Sequence, residues 1–414
     1  MKQLQKTKVV IIGSGFAGLS SALGLSRVNR DLEITVIDRK ETFDFLPSLP
    51  DILGRGISPK VLAYDIKLIA KKNGFEFIKE EVSAIDLSGK KVYVGNKKID
   101  TSTPLSISST SLGTVNLSNH NPERAKRAEW VDYDYLVIAS GSETNFYGND
   151  NIKESAYTLD SANDAVKIIT ALKGNCFDTF IIGGGGYTGI EVATNLRKFS
   201  LEKKQKTKII IVEKSESILG PLPQWMKDYA TGNLSGLNIE ILTKSSIERI
   251  EGSSVNVTGQ KIFNNALVIW AAGVKTAKFI QELSAEKNAQ GRLMVDEYLR
   301  LDKNCFVAGD AAYIKYGKNY LRMAVQFAIA QGNLTARNII SSIKGKKLLE
   351  YKPLDLGYII PMANNYSCGN VFGVNLRGKL PTLLHFIMCI YRLRGVRKKI
   401  GFIKNLIGIK QYCT

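Results

Sequence analysis

The sequence predicts an α/β fold with two Rossmann-like dinucleotide-binding domains and a C-terminal membrane-associating segment. Three observations carry this expectation. Residues 8–38 read strand, glycine turn, helix, strand and acid, with Gly13, Gly15 and Gly18 in the spacing G-x-G-x-x-G. The pattern returns at 180–213 with Gly184, Gly186 and Gly189. The last acidic residue is Asp355, and the 59 residues after it hold nine Lys or Arg interleaved with apolar side chains.

In the first unit, Val9–Ile12 is a β-rich apolar run. Gly13 permits the tight turn, Gly15 lets a pyrophosphate approach bare backbone, and Gly18 lets the helix pack close to the strand. Amides at the helix start then face the phosphates. Strand Ile34–Ile37 ends in Asp38, twenty residues past Gly18, where a carboxylate can accept hydrogen bonds from both ribose hydroxyls. Phe43–Pro50 and Gly54–Gly56 read as a loop rich in proline and apolar residues. Residues 75–99 alternate as short strands with a turn at Ser88-Gly89, and the Ser-, Thr- and Asn-rich stretch 101–119 reads as an insertion or long hairpin loop. His120, at its polar end, has no metal-ligand spacing nearby. Tyr135–Gly141 is a buried strand ending in small residues that closes the first nucleotide half.

In the second unit, strand Phe180–Ile182 leads to the glycine turn, a helix over Ile190–Leu196 and a strand Ile209–Val212 ending in Glu213. Two such units, roughly 170 residues apart, suit one dinucleotide held permanently and another that comes and goes. Glu213 suits a free ribose 2′-hydroxyl and repels a 2′-phosphate, which favours NADH over NADPH; the neighbouring Lys214 works the other way. Ala266–Gly273 parallels Tyr135–Gly141. Cys305–Asp310 is a strand running into Ala-Gly-Asp, with Asp310 placed for a polyol hydroxyl, and 323–340 reads as a helix.

The chain has 414 residues, enough for two or three domains. Its five cysteines are scattered without a C-x-x-C, which argues against a disulfide framework and fits a reducing compartment. No signal peptide fits before the first strand, and no apolar run is long enough for a transmembrane helix. The net charge of +19 first suggests nucleic acid. Yet the basic residues of the tail are interleaved with aliphatic ones, not with an aromatic stacking platform. Val396, Ile400, Ile403 and Ile407 fall at helical spacing beside Arg397, Lys398, Lys399 and Lys404. This fits a helix lying in a membrane interface, attracted to an anionic surface. A homodimer contact is the competing reading of the same stripe.

In order, the chain presents GSGFAG, IASGSE, GGGGYTGIE, VEK, WAAG, VAGD and a helix of type A-x-Q-x-A-x-x-Q-G. Over residues 8–405 it resembles the two-dinucleotide flavoprotein superfamily and, within it, the type II NADH dehydrogenases, single-subunit NADH:quinone oxidoreductases. The resemblance implies an FAD-binding domain in two parts (1–150 and 276–345), an NADH-binding domain (151–275) and a membrane-associating region (346–414). It implies that Gly13, Gly15, Gly18 and Asp38 hold the FAD adenosine and pyrophosphate, that Ser140 and Gly141 lie near the FAD, and that Asp310 holds the ribitol. Gly184, Gly186, Gly189 and Glu213 would hold NADH. Glu191 and Gln326 would lie near the flavin ring, where nicotinamide and quinone meet it, with 43–50 as a wall against that ring. No metal is implied. The expected setting is the cytoplasmic face of the cell membrane, peripherally bound. Two departures stand out: Ser140 replaces a frequent Thr, and the family's second glutamine, four residues after the first, is here Ala330, with Gln331 one step off. The alternatives are a sulfide:quinone oxidoreductase, which needs a cysteine pair at the flavin, and a non-enzymatic flavin redox sensor. Disulfide reductases need a C-x-x-x-x-C that the first helix region lacks.

Overall fold

The structure, a computed structural model, describes residues 6–28, 31–95, 130–259, 261–317 and 319–408. The insertion expected at 101–119, His120 and Cys413 lie outside the described residues.

The chain runs through β1 (Thr7–Ile12), α1 (Phe16–Val28), β2 (Leu32–Asp38), α2 (Leu49–Gly54), β3 (Glu76–Lys79), β4 (Tyr135–Ile138) and β5 (Thr179–Gly183). It continues with α3 (Tyr187–Glu202), β6 (Lys208–Val212), β7 (Ile239–Leu242), β8 (Ala266–Trp270), β9 (Cys305–Val307) and α4 (Val325–Ile343). A three-stranded antiparallel meander follows, β10 (Gly357–Ile360), β11 (Ser367–Val371) and β12 (Val374–Gly378), then α5 (Lys379–Arg392) and α6 (Val396–Leu406).

The elements form two compact units. The first comprises 1–43, 65–142 and 275–354, and the second 44–64, 143–274 and 355–414. Residues 44–64 and the C-terminal region therefore group with the second nucleotide unit, a division that differs from the one drawn from the sequence.

The first unit is built on a parallel sheet of order β9-β4-β1-β2-β3. Its central strands are apolar on both faces, as a sheet covered on both sides requires. Ile12 pairs with both Ile37 and Ile138, so the strand ends that precede Gly13, Asp38 and Ala139 finish level. α1 packs on α4, where Gly332 lies against the Ala17 backbone too closely to admit a Cβ.

The second unit repeats the design with sheet order β7-β6-β5-β8, all parallel. Gly183 pairs with Val212 and Trp270, again bringing three strand ends level. α3 runs three residues earlier and six later than the sequence suggests, because Gly186 caps it directly and its buried face continues through Phe199 and Ser200.

The proline-rich stretch 43–50 is not a loop throughout. Residues Leu46–Ser48 form a 3-10 turn that runs into α2, all six residues of which are buried. Pro50 sits in the first turn, where its missing N–H costs nothing. α2 packs on α3, and a Cβ at Gly54 would strike the Asn195 backbone.

Candidate active site

In the first unit, β1 ends at Gly13, whose φ of +97° only glycine adopts readily. Its amide donates to the Ile37 carbonyl at 2.8 Å. Side chains at Gly13 and Gly18 would run into the backbones of Ala139 and Gly13, whereas a Cβ at Gly15 would meet nothing within 4 Å. Two glycines are thus needed for internal packing, and Gly15 leaves an open flank. Asp38 is held at this turn. One carboxylate oxygen accepts from the Ser14 amide at 2.7 Å and the Ser14 hydroxyl at 2.6 Å, and the other accepts from the Lys40 amide at 2.8 Å. Three of its roughly four lone-pair directions are used, which leaves one for a ribose hydroxyl.

Gly141, with φ +67°, also has open space where its side chain would be, and the buried Ser140 hydroxyl has no hydrogen-bond partner. An orphaned buried hydroxyl beside two open glycines fits a bound polar cofactor. Asp310 accepts from the Ser142 hydroxyl at 3.0 Å. Burial pushes its carboxyl above the usual range, opposed by Ser142 and by the Arg292 charge.

Two residues that sequence reasoning did not place here hold this turn. Arg292, buried at 6% exposure, donates to the carbonyls of Asp310, Ala312 and Leu321. The Gln331 side-chain oxygen accepts from the Gly309 amide at 2.7 Å, where the backbone has φ +75°. The glutamine that looked one step out of place therefore supports Asp310. Arg292 follows a glycine in an unpatterned loop, and its sequence carries no signal of this role. Together these residues fit the dinucleotide and polyol parts of FAD.

The second unit matches the first. Gly184 has φ +108° and donates to the Val212 carbonyl at 2.8 Å. A side chain at Gly184 or Gly189 would strike the backbone of Ala271 or Gly184, and one at Gly186 would meet open space. Glu213 takes the place of Asp38: one oxygen accepts from the Gly185 amide at 2.7 Å and the other from the Ser215 amide at 2.8 Å.

Glu191 is the fifth residue of α3, beyond its first turn. It is half-buried. Burial first, and the Asp51 carboxylate second, raise its proton affinity well above the carboxylate range. A helix dipole that merely stabilised an anion would lower it. Asp51, on α2, is 5% exposed and pairs with Arg55 Nε at 3.0 Å; burial still raises it to about 6. Gln326 lies in the first turn of α4, in the first unit, and is half-buried. Glu191 and Gln326 belong to different units.

The C-terminal helices separate the tail's apolar residues into two sets. Leu383, Ile387, Val396, Ile400, Ile403 and Ile407 are exposed, in keeping with the stripe read from the sequence. Phe386 and Phe402 are buried against each other, with the Arg55 guanidinium 4.9 Å over the Phe386 ring. Lys398 is turned inward over the Tyr64 ring at 3.9 Å and donates to the Lys60 and Ala63 carbonyls. Among the described residues, no helix is long and apolar enough to cross a membrane. The four described cysteines are free.

Two parallel sheets, each with a glycine turn answered by a carboxylate on the next strand, define a protein that binds two dinucleotides. Residues 7–332 match the family described as pyridine nucleotide-disulphide oxidoreductase, and the chain belongs to it. It is 24% identical over 423 residues to a type II NADH:quinone oxidoreductase of Staphylococcus aureus, covering 94% of this chain and 97% of that protein. It is also 24% identical over 402 residues to a demethylphylloquinone reductase of Synechocystis, covering 94% and 92%. The fold is similar to that of NDH2 from Plasmodium falciparum solved in complex with NADH, with a TM-score of 0.79, 19% identity and coverage of 98% and 99%.

Proposed function

We propose that this protein is an FAD-dependent NADH:quinone oxidoreductase of the type II kind, bound peripherally to the cytoplasmic face of the cell membrane. The observation that carries the reading is the duplicated cradle, glycine turn plus anchored acid, joined to a proton-holding carboxyl, Glu191, on the helix that follows the second cradle. Full-length similarity to enzymes named for NADH and quinone supports the assignment of donor and acceptor.

FAD, when bound, would supply the redox chemistry that links NADH to the quinone. The chain's own residues do the rest. Gly13, Gly15, Gly18, Asp38, Ser140, Gly141 and Asp310 bind and orient the flavin nucleotide, with Arg292 and Gln331 fixing the turn beneath Asp310. Gly184, Gly186, Gly189 and Glu213 receive NADH. The overall reaction, NADH + H⁺ + Q → NAD⁺ + QH₂, takes one proton from the medium. Glu191 holds that proton because burial disfavours its anion. Gln326 orients the reacting groups by hydrogen bonding. Anaerobic NADH should bleach the bound flavin's visible absorbance, and quinone added afterwards should restore it; a flavin that NADH leaves coloured contradicts the reading.

Donor choice rests on Glu213. Glu213→Gln should narrow the preference for NADH over NADPH by removing a negative charge from the ribose site. Equal kcat/KM for the two donors in the wild type would remove the basis of that claim.

For the membrane, the exposed side chains of α5 and α6 supply two terms. Each of Leu383, Ile387, Ile400, Ile403 and Ile407 contributes up to roughly 1.5–3 kcal/mol if fully buried in the interface. Each exposed basic residue near an anionic surface adds about 1 kcal/mol, screened over a Debye length of about 10 Å at 0.1 M salt. High salt alone should therefore release little protein from anionic vesicles, whereas detergent should release most. A chain truncated after Lys379 should not float with vesicles. Release by salt alone, or a full-length dimer whose apolar helices no longer bind lipid, would overturn the membrane assignment.

A further inference from the structure

Beneath Glu191 lies a buried polar cluster that the glycine cradles do not use. It is assembled from α2, α3 and α5, all within the second unit. Gly54 lets α2 approach the Asn195 backbone, and the Asn195 side-chain amide donates to the Glu191 backbone carbonyl at 2.9 Å. Asn195 and Ser48 also hydrogen-bond the Asp51 carboxylate, and Arg55 pairs with it. Arg55 is itself tied to the Met362 carbonyl at 3.1 Å and to Asn365 at 2.8 Å, so the counter-charge is fixed in place. From α5, the Cys389 sulfur lies 3.5 Å from both the Ser48 hydroxyl and the His385 imidazole.

We propose that Asp51 and Glu191 form one coupled carboxyl pair, in which Asp51 is a positioning residue whose charge sets where Glu191 releases its proton.

The inference deepens the quinone-reductase reading and rests on it for the use of that proton. In the step, the Glu191 O–H bond breaks and a new O–H bond forms on the quinone oxygen, while the electron pair comes from NADH by way of the flavin. Glu191, left as a carboxylate, is reloaded from water. Its discharge puts a second carboxylate beside Asp51, whose own charge is already paired with the fixed Arg55 guanidinium. The repulsion between the two carboxylates in a low-dielectric interior drives recapture of a proton.

The remaining neighbours do not compete in the neutral range. Burial first, then Arg55 and Arg392, pushes His385 down to about 4, so it stays neutral. Burial pushes the Cys389 thiol up to about 12, so it stays protonated. Arg392 remains a cation, although burial lowers it. Burial raises Asp51 to about 6, against the opposing pull of Arg55, Ser48 and Asn195.

The test is an infrared pH titration of the protonated-carboxyl band in the flavin-loaded protein, with Glu191→Gln identifying the Glu191 band. It needs neither NADH nor quinone. Asp51→Asn should lower the Glu191 midpoint by about one pH unit or more. Asp51→Glu, which keeps the charge, should leave the midpoint raised. Asp51→Asn strands the Arg55 charge in the interior, which both destabilises the fold and itself lowers the Glu191 midpoint. The double variant Asp51→Asn/Arg55→Gln removes that charge and should still show the fall. Turnover with a water-soluble quinone, lost as pH rises through the Glu191 midpoint, should lose its alkaline limb at correspondingly lower pH. An unchanged Glu191 midpoint in the double variant would overturn the pair. A shifted midpoint in a protein that reduces no quinone would leave the pair standing and overturn the functional reading instead.

Discussion

Glu191→Gln is expected to cut quinone turnover by about 10²-fold or more, the usual worth of a positioned proton donor. Gln keeps the volume and a hydrogen-bonding tip but holds no transferable proton. Bleaching of the flavin by NADH should change far less, because hydride transfer consumes no proton from Glu191. The split is the diagnostic feature: stopped-flow reduction near the wild-type rate, with slow reoxidation by quinone. The wild-type profile should fall on the alkaline side, as pH rises through the raised Glu191 midpoint and the carboxyl loses its proton. Equal loss in both half-reactions would mean that Glu191 positions the nicotinamide instead.

Arg292→Met should produce the second large effect, on cofactor retention. The guanidinium satisfies the Asp310 and Ala312 carbonyls of the turn that carries Asp310 and ties that turn to the Leu321 carbonyl. Each hydrogen bond from a charged donor is worth about 1.5–3 kcal/mol, and carbonyls left unpaired in the interior add their desolvation cost. Losing even two such bonds amounts to at least roughly 3 kcal/mol, which lowers Tm by about 6 °C or more in a domain of this size. The variant should purify with substoichiometric FAD and regain it only at high added FAD. Gln331→Ala should act in the same direction through the Gly309 amide, and less strongly. Full flavin content and an unchanged Tm in Arg292→Met would show that the turn stands without it.

These two residues mark how much of the site was legible in the sequence. The glycine turns and their acids, Asp38 and Glu213, could be read directly. A strand-to-helix turn around a pyrophosphate dictates residue types at fixed spacing, and the structure shows the backbone contacts that make Gly13, Gly18, Gly184 and Gly189 obligatory. The exposed stripe on α6 was legible for a similar reason, since helical periodicity is local. The inward turn of Phe386 and Phe402 is not legible in the same way, because each helix carries apolar residues on more than one face and only long-range packing shows which of them turn inward. The prolines of segment 43–50 predict a loop, yet Pro50 sits where a helix tolerates it. Asp51 and Arg292 carried no pattern at all. Their meaning depends on partners brought together by the fold: for Asp51, a helix 140 positions away in sequence; for Arg292, carbonyls up to 29 positions on.

The central claim is electron transfer from NADH to quinone, and steady-state turnover of the purified, FAD-loaded protein tests it most directly. NADH, NADPH and sulfide are offered in turn as donors against one water-soluble quinone. NADH should support turnover with the highest kcat/KM, NADPH should be the poorer nucleotide, and sulfide should give none. Turnover with sulfide but not with NADH would contradict the account.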